Sequence, residues 1–132
     1  MPDERMTPHI LSVSYDEALL RTGEMLLRRE GYIVTSALGF TEGIEQCKKT
    51  EFNLFVLGHS ILEKDKRELI HVSRAECDAP VLALHRHSEN IPEEADADAY
   101  PDDIDGFLKA VKKLLTRNTS PHSDDGRYSS TM

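Results

Sequence analysis

Three histidines, His59, His85 and His87, stand at or just past the ends of apolar, strand-forming runs, and Ser14, Tyr15 and Asp16 close another such run. Imidazoles grouped in this way would suit Zn²⁺, with Glu89 or Asp16 completing the set, because zinc takes nitrogen and carboxylate ligands in a tetrahedron. Their spacing matches no established metal signature, and histidines on surface loops would leave the same trace, so no metal is assigned. Ser14 or Ser60 as a nucleophile would need a base and an oxyanion hole, and no GxSxG accompanies either. Gly39-Phe40-Thr41-Glu42-Gly43 has neither GxGxxG nor Walker spacing and reads as a turn opening a helix. Asp102, Asp103 and Asp105, close to Glu93, Glu94, Asp96 and Asp98, form a dense acidic cluster without the EF-hand pattern. It reads as a solvated rim that caps the next helix, with a docking surface for a basic partner or an occasional cation site as the sharper alternatives. No enzymatic activity and no cofactor is expected.

The elements that must position these groups follow from periodicity. His9–Ser14 is a short strand, and Tyr32–Ala37 a second. Phe52–Leu57 is apolar throughout and stops at Gly58, the pattern of a strand buried on both faces. Val81–Leu84 repeats that pattern, and Ala97–Tyr100 is a short fifth strand. Between them lie helical stripes. Asp16 and Glu17 put negative charge at the start of the first, where Leu19, Leu20, Gly23, Leu26 and Leu27 recur at helical spacing and Gly31 ends it. Thr41 is placed to cap the second helix, which carries Ile44 and Cys47. Asp65 with Glu68 resembles a capping box for a third, running to about Glu76 and burying Leu69, Ile70, Val72 and Ala75. Phe107, Leu108, Val111, Leu114 and Leu115 mark the last helix. From His85 to Pro92 there is no helical periodicity, so the connection between the fourth and fifth strands is expected to be a loop or a single turn.

Strands alternating with helices imply a parallel sheet with right-handed crossovers. The fold class is therefore α/β, a flavodoxin-like, doubly wound sheet of five strands in the order 2-1-3-4-5, with its fourth helix short or missing. Residues 1–8 are expected to be a flexible leader, 9–117 the domain, and 118–132 a disordered polar tail. The chain has 132 residues, 39% of them apolar, which is enough for one core and too polar for a membrane protein. No apolar run spans a bilayer and no secretory signal opens the chain, so a cytoplasmic location is expected. A net charge of −8 disfavours non-specific nucleic-acid binding. Cys47 and Cys77 show no CxxC spacing and are expected to be reduced.

Over about residues 8–116, the order and spacing of these elements resemble the receiver domain of two-component response regulators. Leu54-Phe55-Val56-Leu57 looks like the apolar strand that leads to the phospho-accepting aspartate of that family, and Pro80-Val81-Leu82-Ala83-Leu84 like the fourth strand. The functional positions are changed almost throughout. The acidic pair that would hold Mg²⁺ falls on Ser14 and Tyr15, with Asp16 one place on; the phospho-acceptor falls on Gly58; the Thr/Ser position falls on His85. The lysine-proline pair is expected just after Tyr100, where the chain reads Pro101-Asp102-Asp103-Ile104-Asp105 and has no lysine before Lys109.

Aspartyl phosphorylation needs a carboxylate nucleophile and a hard cation to offset phosphoryl charge. The resemblance therefore implies a stand-alone pseudo-receiver whose degenerate pocket comprises Ser14, Tyr15, Asp16, Gly58, His59 and His85. It would signal through an unidentified protein partner, as a monomer or weak homodimer. His59 as a replacement phospho-acceptor has no orienting group beside it. One alternative is a small-ligand or metal sensor using the strand-end histidines. Another is a conventional phosphorelay receiver with Asp16, Asp65, Asp98 or Asp102 as acceptor, none of which ends an apolar strand.

Overall fold

A computed structural model describes residues 7–76, 79–86 and 95–119. The five strands are β1 (His9–Ser14), β2 (Ile33–Leu38), β3 (Leu54–Leu57), β4 (Val81–Leu84) and β5 (Ala97–Ala99). They form one parallel sheet in the order β2-β1-β3-β4-β5, the order expected. The helices are α1 (Glu17–Arg29), α2 (Phe40–Lys49), α3 (Glu63–Glu76) and α4 (Ile104–Thr119). The expected short or missing helix between β4 and β5 falls largely on residues 87–94, outside the described residues, as do His87, Cys77 and the tail from residue 120. Helix α4 runs two residues past the expected domain end at 117.

Both central strands are buried on both faces, which is why their sequences do not alternate. One face packs Leu11, Val13, Phe55 and Leu57 against Cys47 of α2 and Leu69 and Ile70 of α3. The other packs Ile10, Val56 and Leu82 against Leu27 of α1 and Phe107, Val111 and Leu114 of α4. No described helix is long and apolar enough to cross a membrane.

The caps set where the strand-end loops begin. Asp16 caps α1 by accepting from Leu19 N–H at 3.2 Å. At its other end Tyr32 N–H donates to Leu27 O and Gly31 N–H to Arg28 O, a Schellman closure that the positive φ of Gly31 makes possible. Helix α2 differs from expectation. Its N-cap is Gly39 at φ 98°, with no side-chain cap, and Thr41 lies inside the helix. Helix α3 begins at Glu63, so Asp65 sits in the first turn rather than at a cap. On its inner face Lys66 and Ser73 are buried, Val72 is half-buried and Ala75 is exposed.

Candidate functional site

In a parallel α/β sheet the crevice beyond the carboxyl ends of the strands is the usual place for function. Here the ends of β1 and β3 are held level by Gly58 N–H donating to Val13 O at 2.8 Å. Ser14, Tyr15, Asp16 and Gly58 therefore do converge. What they build is a network of hydroxyls. Ser14 Oγ lies 3.1 Å from Ser60 Oγ and accepts from Asp16 N–H at 3.1 Å. Ser60 Oγ accepts from Tyr15 N–H at 3.0 Å. The Tyr15 hydroxyl donates to Asp65 Oδ2 at 2.7 Å. Burial, then the Asp65 hydrogen bond and charge, push the Tyr15 phenol well above its ordinary range, so it stays a donor.

Gly58 sits against this network. A Cβ added there would lie 3.2 Å from Ser14 Oγ, 3.2 Å from Val13 O and 3.3 Å from Ser14 Cβ. A side chain at the tip of β3 would press on Ser14, which would have to give by a few tenths of an ångström although its own side chain is buried and hydrogen-bonded. Neither Ser14 nor Ser60 hydrogen-bonds to a histidine among the described residues; their hydroxyls are engaged with each other and with backbone of Tyr15 and Asp16.

The ends of β4 and β5 are tied separately. His85 is buried, with Nδ1 at 2.9 Å from Arg86 O and Nε2 at 2.9 Å from Asp98 Oδ2. Its ring packs on Tyr100, with centroids 4.8 Å apart. Both ring nitrogens are thus occupied. His59 meets Arg86, whose Nη2 lies 3.4 Å from His59 Nε2. The histidines do not assemble into a metal cage: no group of three or more metal-ligating side chains occurs among the described residues, and the zinc candidates His87 and Glu89 lie outside them.

The sequence reading passed over Lys66. Its ammonium is buried and donates to Leu84 O at 2.9 Å, reaching the crest at the end of β4 from the first turns of α3. The signal was present: Lys66 lies three and four residues before Leu69 and Ile70, on the apolar stripe itself. Asp65 was read as a cap; its carboxylate instead anchors Tyr15. Strand β5 closes at Ala99, so the residue between the strand and Pro101 is Tyr100, an aromatic ring.

No protein-family model and no curated protein matches the sequence. The fold is matched by solved structures. A CheY-like receiver domain from Methanospirillum hungatei superposes with a TM-score of 0.74 at 22% identity, over 85% of this chain and 96% of its own. The receiver domain of Francisella response regulator 1452 gives 0.74 at 17% identity, over 86% and 100%. Chemotaxis protein CheY4 of Vibrio cholerae gives 0.70 at 18% identity, over 82% and 98%. The chain has the receiver fold. At these identities the likeness concerns architecture, and the crest must be interpreted from its own residues.

Proposed function

We propose that this chain is an atypical response regulator of the pseudo-receiver kind, acting by protein–protein contact without aspartyl phosphorylation. The observation that carries the reading is the tip of β3, where Gly58 supplies no carboxylate and an added Cβ would press on Ser14 of the Ser14–Ser60 hydroxyl pair. Serine and tyrosine hydroxyls are neutral oxygens and poor substitutes for the carboxylates that Mg²⁺ prefers. The loops that a cation would otherwise draw together are linked here by Ser60 to β1 and by Asp65 to Tyr15. On the other side, Lys66 and the His85–Asp98 pair link α3, β4 and β5. A crest tied in this way presents one arrangement to a partner in the absence of any phosphoryl group. The module works in the cytoplasm, as a monomer or weak homodimer, with no cofactor.

The test is incubation of the full chain with acetyl phosphate and Mg²⁺, followed by intact mass measurement. No gain of about 80 Da is expected. Gly58→Asp alone should also remain unmodified, because Ser14 stands beside the new side chain. A labile adduct on Asp16, Asp65, Asp98 or Asp102 of the unmodified chain would refute the proposal in favour of a conventional receiver.

A further inference from the structure

A cleft opens on the α1/α4 face of the sheet, below the crest. Ser12, Val56 and Leu84 form its floor, Gly23 and Phe107 its walls, and Leu19 and Ile104 its rim, exposed by 41% and 50%. Two features on opposite sides of it are each unfavourable by themselves. The first is Ser12, in the middle of β1 with 6% exposure. No hydrogen bond to its hydroxyl is found among the described residues, whereas the hydroxyl of Ser14, two residues on, is fully engaged. Buried hydroxyls are ordinarily paired, because burial strips them of water.

The second is Gly23, in the interior of α1, where glycine is a poor helix former. Tight packing does not account for it. A Cβ at Gly23 would meet nothing nearer than Ser12 Oγ at 4.0 Å. Gly23 and the unpaired hydroxyl line the same cleft, and a methyl at Gly23 would reach ordinary contact with Ser12 Oγ without a clash. Local departures from stable packing of this kind gather at sites that serve function.

The cleft offers about 80 Å³. One water needs about 15 Å³, while sites for drug-sized ligands run from about 300 Å³ upward. Its occupant is small. The lining is apolar apart from Ser12, Ser14, Thr22 and His59, and both Ser14 and Thr22 are already hydrogen-bonded. We propose that this cleft binds a compact, mostly apolar molecule bearing one hydrogen-bonding group, of the size of a short-chain alcohol. Its polar end would meet Ser12 Oγ and its body would pass out between Leu19 and Ile104. The cleft shares Ser14, Gly58 and His59 with the crest, but the group the proposal invokes is Ser12, so it does not rest on how the crest treats phosphate.

The experiment is titration of the full chain with 1-butanol, followed by amide NMR. Saturable shifts are expected at Ser12, Gly23 and Val56. Ser12→Ala should weaken binding by about fivefold, the worth of one hydrogen bond. 1-Chlorobutane, which lacks the hydroxyl, should bind the native chain more weakly by a similar factor. Gly23→Leu should abolish the saturable shifts by filling the cleft. Gly23→Ala, which adds one methyl where there is room, keeps the fold and should weaken binding. Shifts that rise linearly with alcohol, or saturable shifts that Gly23→Ala leaves unchanged, would overturn the proposal.

Discussion

The two faces of the sheet are packed to different standards, and two helix glycines show it. Gly43 of α2 lies so close to the sheet that an added Cβ would come within 3.1 Å of Leu69 and 3.2 Å of Val13. Gly23 of α1 lies on the other face, where an added Cβ would meet nothing nearer than Ser12 Oγ at 4.0 Å, an ordinary contact. The α2/α3 face closes around Leu11, Val13, Phe55 and Leu57 with glycine used for close approach. The α1/α4 face places Ser12 in the strand layer and leaves a cleft above it. Interiors are normally filled to crystal-like density. One sheet meeting that standard on one side and missing it on the other locates the space available to a ligand on the α1/α4 face.

The largest effects should come from leucine truncation. Leu69→Ala on the closed face should cost about 4 kcal/mol, and Leu20→Ala beside the cleft nearer about 2 kcal/mol, because a wall that already borders a void loses fewer contacts. Urea unfolding of the two variants gives the comparison directly, and equal losses would break it.

The glycines give opposite signs. Gly43→Ala should destabilise by about 1–3 kcal/mol through overpacking. Gly23→Ala should stabilise by about 0.5–1 kcal/mol, since it removes an interior helix glycine without a clash. Thermal melts of the pair settle it; a neutral Gly43→Ala would mean that the closed face yields easily.

The smallest effect is on pH dependence, and it sharpens the picture of the closed face. His9 packs its ring on Phe52 at 4.7 Å, and burial holds its imidazole below the ordinary 6.5. Folding therefore favours the neutral ring. That contribution is present above pH 6.5 and is lost as pH falls through the lowered value. Tyr15 behaves in the opposite sense: its raised phenol favours folding below pH 10.0, and the contribution is lost as pH rises beyond it. Melting temperature should be flat between these limits and decline outside them. His9→Gln should soften the acid flank and Tyr15→Phe the alkaline flank, as measured by melts across the pH range.

Much of the architecture was legible in the chain. Val81–Leu84 and Leu54–Leu57 read as strands buried on both faces, which alternation with helices places in a parallel sheet, and Asp16 and Gly31 bracket α1 by capping chemistry that acts within a few residues. Boundaries without such local signals moved. Helix α3 starts two residues before Asp65, and α2 starts at Phe40 without a side-chain cap. At the crest, Gly58 and the absence of a lysine between β5 and Lys109 could be read directly. The partners of Ser14, Tyr15, His85 and Lys66 could not, because each is brought in from a different element.

By itself, the sequence determined the alternation of elements and which residue types reach the strand ends, since periodicity and capping act over short spans of chain. Tertiary structure alone decided that Ser60 and Asp65 would tie down β1, that Lys66 would end on Leu84 O, and that Ser12 and Gly23 would line one cleft. These pairings depend on distances of a few ångströms between residues on different elements, and no local pattern encodes such distances.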